Sequence, residues 1–122
     1  MGMKVNGSTG LTFPDSTTMV TGNQAVRAWV NFNGTGTVAI RASYNVTSIT
    51  DNGTGNYTVN FTTALVDANY ALSVNGYQTT ANNVFFGYAG GQTYTTTAVR
   101  LTTINSSFAA TDMQNVSVAI FR

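Results

Sequence analysis

Few side chains in this chain of 122 residues could carry out acid–base or nucleophilic chemistry. The sequence contains no histidine, cysteine or glutamate, so the commonest general bases, thiol nucleophiles and zinc ligands are absent. A carboxylate pair for glycoside hydrolysis would have to come from Asp15, Asp51, Asp67 and Asp112. Three of these lie beside turn residues, where aspartate often bonds the backbone. We therefore expect no enzymatic activity and no cofactor.

A metal site is not expected either. The segment 51–56, DNGTGN, has some likeness to the start of a calcium-binding loop. It lacks oxygen-bearing side chains at its third and fifth positions, and it lacks the terminal glutamate of such loops. Its Asn-Gly pair is typical of a hairpin turn. The segment is therefore predicted to turn the chain without binding metal.

Five aromatic residues in the second half of the chain are the best candidates for a binding surface. Asparagine and glutamine flank them, and flat rings beside amide groups suit sugars or another protein. The predicted ligand-binding residues are Tyr77, Phe85, Phe86, Tyr88 and Tyr94. The alternative is that these rings fill the core or a subunit interface. Trp29 is open to the same two interpretations, and packing is favoured for it.

The low charge content limits the partners that the protein could recruit. Only 7% of the residues are charged, the net charge is +1, and there is no basic cluster, so nucleic-acid binding is not expected. No apolar run is long enough to cross a bilayer, and the N-terminus lacks the pattern of a secretory signal. We expect neither membrane insertion nor export. A surface of Thr, Ser, Asn, Gly and Ala favours contact with further copies of the chain.

Alternation of apolar and polar residues predicts an all-β fold. Residues 1–24 are rich in Gly, Ser and Thr and are interpreted as an extended N-terminal arm. Residues 25–122 contain about seven strand-like runs with Gly and Asn turns, which is typical of an antiparallel β-sandwich, with a closed barrel as the alternative. A single helical turn is predicted at 64–68 and further strands at 83–88 and 94–104. The last strand, 116–121, is expected to be central or packed against a neighbour because both of its faces are apolar.

Two hairpins between residues 26 and 61 allow the strand register to be predicted. In the first hairpin, residues 34–36 form a three-residue loop, since glycine readily adopts the left-handed conformation that such a loop needs. The predicted opposite pairs are Phe32 with Val38, Val30 with Ile40, Ala28 with Ala42, Trp29 with Arg41 and, in the second hairpin, Ile49 with Tyr57. The pairing of Trp29 with Arg41 would stack a guanidinium on an indole.

Several stretches of the chain resemble a module found in tail-fibre and related virion proteins of tailed bacteriophages. They are AWVNFNGTGTVAIR at 28–41, VTSITDNGTGNYTVNF at 46–61 and DANY at 67–70, preceded by LTFPDSTT at 11–18. The preceding stretch is similar to the FPDGTT segment that often comes before such modules, with Ser16 in place of the glycine. The resemblance spans residues 11–77.

The resemblance implies a C-terminal fibre or appendage module of the virion, commonly a homotrimer, that contacts the host surface. Its implied partners are sister chains and a host cell-surface glycan or protein, and it brings no catalytic residues. Two alternatives stay open. One is a purely structural virion part, such as a capsid decoration or a fibre connector without a ligand. The other is a depolymerase fragment, which would require two acidic groups in one cleft.

Overall fold

The structure is a computed structural model and describes residues 4–6, 10–12, 18–19, 26–78, 85–88 and 93–122. These residues form eleven strands and no helix, so the described part of the chain has no helix that could cross a membrane. The strands are β1 (Lys4–Asn6), β2 (Gly10–Thr12), β3 (Thr18–Met19), β4 (Val26–Asn33), β5 (Ala39–Tyr44), β6 (Val46–Gly53), β7 (Asn56–Phe61), β8 (Ala71–Tyr77), β9 (Phe85–Tyr88), β10 (Ala98–Ile104) and β11 (Asn115–Phe121).

All strand pairs are antiparallel, which confirms the predicted all-β class. Strands β1, β2 and β3 form a small sheet of their own, within the stretch that was interpreted as an extended arm. The other eight strands form one sheet in the order β5-β4-β11-β8-β9-β10-β7-β6. This is one strand more than the sequence predicts for residues 25–122. The predicted boundary between residues 24 and 25 lies outside the described residues.

The eight-stranded sheet folds over on itself, so that β5-β4-β11-β8 faces β9-β10-β7-β6. The contact between Phe32 on β4 and Tyr57 on β7 demonstrates this, because their ring centroids lie 5.2 Å apart although four strands separate β4 from β7. Strands β5 and β6 are the two edges of the sheet and are joined by Asn45 alone. The result is a sandwich-like fold and not a closed barrel.

The core lies between the two layers and follows the alternation of the strands. Inward-facing residues of β4, β7, β10 and β11 are almost completely buried, and each large one contributes roughly 1.5–3 kcal/mol of burial free energy. They are Ala28, Val30, Phe32, Tyr57, Val59, Phe61, Val99, Leu101, Val116, Val118 and Ile120. Strand β11 lies between β4 and β8, as the prediction of a central last strand requires.

The predicted register of the first hairpin is wrong. Phe32 pairs with Ile40 rather than Val38, and the neighbouring positions shift with it, so residues 34–38 form a longer loop than predicted. The cause is a long-range anchor: the Gly34 amide donates to the main-chain oxygen of Met113 at 2.8 Å. A turn that is held from across the sandwich does not follow the local preference for a three-residue loop.

The predicted stacking of Trp29 on Arg41 is also wrong. A β-bulge interrupts the pairing of β4 with β5, and Trp29 lies opposite Tyr44. Arg41 lies at the bulge, where its Nη2 donates to the main-chain oxygen of Gln114 at 2.6 Å and its Nη1 to Asn31 Oδ1 at 3.4 Å. The guanidinium therefore bridges two polar groups instead of covering the indole.

In the second hairpin, Ile49 lies opposite Val59 and not opposite Tyr57. The chain reverses at residues 54–55, because Gly53 pairs with Asn56, and two bulges in β6 move the remaining positions. Both Gly53 and Gly55 have positive φ angles, 125° and 63°, which glycine adopts at little cost.

Residues 64–68 form no helical turn, contrary to the prediction. The Leu65 amide donates to the main-chain oxygen of Thr96 at 2.8 Å, so this segment bonds to a neighbouring chain segment instead of to itself. One predicted strand is shorter than expected, since the one at 94–104 begins only at Ala98. Within the predicted strand at 83–88, β9 covers Phe85–Tyr88. Residues 83 and 84 lie outside the described part.

Candidate functional site

The fold brings part of the predicted aromatic surface together. Tyr77 is exposed at the end of β8. Strand β9 carries Phe85, Phe86 and Tyr88 and pairs with β8, with Gly76 opposite Phe85. The backbone of these four aromatic residues therefore lies on two adjacent strands. The side chains of β9 lie outside the described residues, so a ligand-binding role for this surface stays a prediction.

Tyr94 lies away from Tyr77. Its ring centroid is 5.1 Å from that of Tyr70, whose hydroxyl lies 3.1 and 3.3 Å from the main-chain oxygens of Thr95 and Ala98 and shares its one hydrogen between them. Burial raises the pKa of Tyr70 to about 12. Tyr70 immediately precedes β8, whereas Tyr77 ends it, so roughly 23 Å of extended chain separates them at ~3.3 Å per residue. The predicted set of five aromatic residues is thus not one continuous surface.

A different site is built around Asn45, the residue that joins the two edge strands. Its φ angle is 55°, a left-handed conformation that asparagine tolerates better than most residues. Its Nδ2 donates to the main-chain oxygens of Arg27 and Thr63, both at 3.1 Å, and its Oδ1 accepts from the Thr63 amide at 2.7 Å. One side chain therefore ties together the start of β4, the β5–β6 corner and the segment after β7.

Beside Asn45 the surface opens into a cleft of about 630 Å³, which we name the corner cleft. One wall is apolar, and the rest combines a tyrosine ring, hydroxyl groups and two guanidinium groups. The lining residues are Arg27, Tyr44, Asn45, Thr62, Thr63, Ala64, Leu65, Val66 and Arg122. This volume lies within the range of small-molecule sites, roughly 300–1,000 Å³.

The two arginines of the corner cleft are held in place by specific contacts. Arg122 binds Asp67 through two bonds, from Nε to Oδ1 at 3.0 Å and from Nη2 to Oδ2 at 2.7 Å. Donation from Arg122 and from the Asn69 amide lowers the pKa of Asp67 to about 2, and the same ion pair raises the pKa of Arg122. The Arg27 Nε donates to the main-chain oxygen of Arg122 at 3.0 Å. The cleft thus contains two fixed guanidinium groups with one carboxylate beside them.

An apolar surface adjoins the corner cleft on the solvent side of β5, β4 and β11. We name it the outer face and define it by Val26, Trp29, Tyr44 and Phe121, whose exposed fractions are 38%, 40%, 56% and 44%. Trp29 lies opposite Tyr44, and Phe121 lies opposite Val26, so the four side chains occupy neighbouring ladder positions. The next positions outwards from β11 are Ala71 and Ser73 of β8, which are uncharged.

The three described aspartates have structural partners. Asp51 Oδ1 accepts from the Gly53 amide at 2.9 Å, as aspartate commonly does in turns. Asp67 binds Arg122, and Asp112 Oδ1 accepts from the Gly55 amide at 2.7 Å. The described residues also contain no group of three or more acidic side chains that could hold a metal ion. Each of the three described carboxylates is therefore engaged in a bond that holds a turn or a strand end, and Asp15 lies outside the described residues.

Sequence reasoning missed the corner cleft, because its arginines are 95 residues apart in the chain. They meet because β11 pairs with β4, with Phe121 opposite Val26. The sequence predicts both strands but not their adjacency. No family model, curated protein or solved structure matches this chain, so the site is interpreted from its own geometry.

Proposed function

We propose that this chain is a module of a bacteriophage tail fibre or related virion appendage, which assembles as a homotrimer and binds a host cell-surface glycan without catalysing a reaction. The resemblance of residues 11–77 to such modules supports the assignment, and so does the antiparallel sandwich-like fold. The single observation that carries the proposal is the outer face. Its four defining side chains are apolar or aromatic and exposed, on a chain in which only 7% of the residues are charged.

The outer face suits contact with a sister chain. Trp29 and Phe121, whose rings do not line the corner cleft, offer roughly 150–250 Å² each, of which about two fifths is exposed, so about 170 Å² of ring surface can be covered. At about 25 cal/mol per Å², covering it is worth roughly 4 kcal/mol per chain before the entropic cost of association. Ala71 and Ser73, the next positions on β8, add no charge to this surface, while the guanidinium groups of Arg27 and Arg122 lie beside it in the corner cleft.

The oligomeric state tests this proposal directly. Light scattering coupled to size exclusion should give three times the chain mass of 12.9 kDa for the unmodified protein. Phe121→Ser removes one ring from the outer face and should shift the protein to single chains. Phe108→Ser is the matched control, because Phe108 is 82% exposed in the loop between β10 and β11 and does not belong to the outer face.

Two results would contradict the proposal. One is an unmodified protein with the mass of a single chain at micromolar concentration. The other is a Phe121→Ser variant that keeps the mass of the unmodified protein while retaining its circular dichroism spectrum. A purely structural virion part is the second candidate. It is favoured by the packing of Tyr94 on Tyr70, which assigns one predicted ligand-binding ring to an internal contact.

A further inference from the structure

The corner cleft combines features that the assembly proposal does not use. Two of the chain's five positively charged residues, Arg27 and Arg122, line one cleft. In a chain with only nine charged residues, two guanidinium groups in one cleft are a large share of its positive charge. Its cations lie beside an aromatic ring and two threonine hydroxyls.

We propose that the corner cleft binds an anionic sugar, with Arg122 holding its carboxylate or phosphate group. That the ligand is a sugar rests on the proposed receptor-binding role. That it carries an oxyanion rests on the cleft alone, since a guanidinium binds planar oxyanions through paired N–H bonds.

Arg122 is prepared for such a ligand. Asp67 accepts from Nε and from one hydrogen of Nη2, which leaves three of the five guanidinium N–H groups without an acceptor among the described residues. Those three include the edge between Nη1 and Nη2, which can bind both oxygens of a carboxylate. Because Asp67 already fixes the side chain, little further rotamer entropy is lost when a ligand binds.

The other walls of the cleft suit a sugar ring. The Tyr44 ring is more than half exposed and offers a flat apolar surface to the C–H face of a pyranose. Thr62 and Thr63 place hydroxyls at the rim, while Ala64, Leu65 and Val66 form an apolar side. Asn45 is engaged by Arg27 and Thr63 main-chain groups, so it holds the cleft open in one shape and does not itself bind the ligand.

Titrations followed by amide chemical shifts test the proposal on the whole chain. The probes are glucuronate, glucose 6-phosphate, neutral glucose and inorganic phosphate. We expect the first or second to shift the amides of Asn45 and Thr63, and which of them binds more tightly identifies the anion as carboxylate or phosphate. Glucose and inorganic phosphate should bind at least about tenfold more weakly, because each lacks one part of the ligand.

Substitutions locate the anion contact. Arg122→Gln should weaken binding about tenfold or more, as expected for loss of a charge-assisted pair of hydrogen bonds. Arg100→Gln is the matched control, since Arg100 bonds Asn56 on β7 and does not line the cleft. If Arg122→Gln unfolds the protein, the test is made on the unmodified chain instead. Raising the salt concentration from about 20 to about 300 mM must then weaken the binding of the anionic sugar.

Three outcomes would overturn the proposal. They are an absence of shifts at the cleft with both anionic sugars, equal binding of glucose or inorganic phosphate, and equal losses in the Arg122 and Arg100 variants. Light scattering on the same samples reports the oligomeric state independently. A trimer whose cleft binds no anionic sugar would contradict only the cleft proposal. A single chain whose cleft binds one would contradict only the assembly proposal.

Discussion

Replacing Tyr57 by phenylalanine should cost far more stability than the loss of one oxygen atom suggests. Tyr57 is completely buried, and its hydroxyl lies 2.9 Å from both the main-chain oxygen of Gly34 and Oδ1 of Asp112. The hydroxyl therefore connects the loop after β4 to the segment before β11. Tyr57→Phe keeps the edge-to-face contact with Phe32 and removes only this polar connection.

The size of the effect follows from the acceptors. A hydrogen bond to a charged group contributes about 1.5–3 kcal/mol, and an unsatisfied buried acceptor carries a cost of its own. Asp112 keeps its bond from the Gly55 amide, so we expect a loss of about 2 kcal/mol. For a domain of this length the melting temperature should fall by roughly 6–10 °C. Tyr44→Phe is the matched control, because the Tyr44 hydroxyl makes no hydrogen bond to the described residues, and its unfolding free energy should stay within about 0.5 kcal/mol of the unmodified protein.

The assay is urea unfolding of both variants at neutral and alkaline pH. Burial and the bond to Asp112 raise the pKa of Tyr57 above its ordinary value of about 10. The unfolded chain therefore ionises first, and the stability that the neutral phenol provides is lost as the pH rises above about 10. The stability of Tyr57→Phe should therefore fall less steeply with alkaline pH than that of the unmodified protein. Equal unfolding midpoints for the two variants, or parallel alkaline slopes in Tyr57→Phe and the unmodified protein, would refute the reasoning.

Two further predictions concern turns and charge. Gly55→Ala should lower the unfolding free energy by more than about 3 kcal/mol, because the new Cβ would lie 2.5 Å from the Thr111 amide nitrogen. Gly36 has a similar positive φ but open space around it, so Gly36→Ala should cost only ~1–2 kcal/mol in urea unfolding. Equal losses in the two variants would argue against the steric explanation. Asp67→Asn should lower stability at neutral pH. The stabilities of the variant and the unmodified protein should converge as the pH falls from 3.8 towards 2, because protonation of Asp67 then removes its ion pair with Arg122. A difference that stays constant in acid unfolding would contradict this.

The strands of the core were predictable from the sequence because their alternation is strong. Strand β7 shows it clearly, with Tyr57, Val59 and Phe61 buried and their neighbours partly exposed. The same pattern predicts the central β11. Strand register was not predictable, because bulges move every later position and nothing in the local sequence indicates them. The loop after β4 also depends on Met113, which is remote in the chain.

The candidate site was harder to predict than the fold. The aromatic residues were predicted as a group because they are close in sequence, yet Tyr94 packs on Tyr70 at the far end of β8 from Tyr77. The arginines of the corner cleft have no local pattern, since Arg27 opens one strand and Arg122 follows another. Only the order of strands in the sheet brings them together, and a single sequence does not encode that order in a readable motif.

The pairing of Val26 with Phe121 has a mechanical consequence. Tension applied between the two ends of the sandwich would peel β11 from β4 one hydrogen-bonded pair at a time, which resists force poorly. A ligand held in the corner cleft would pull on Arg122 and Arg27, which lie at the same end of the β4–β11 pair. Force applied through the ligand and force applied through either strand end would therefore meet at the same few hydrogen bonds.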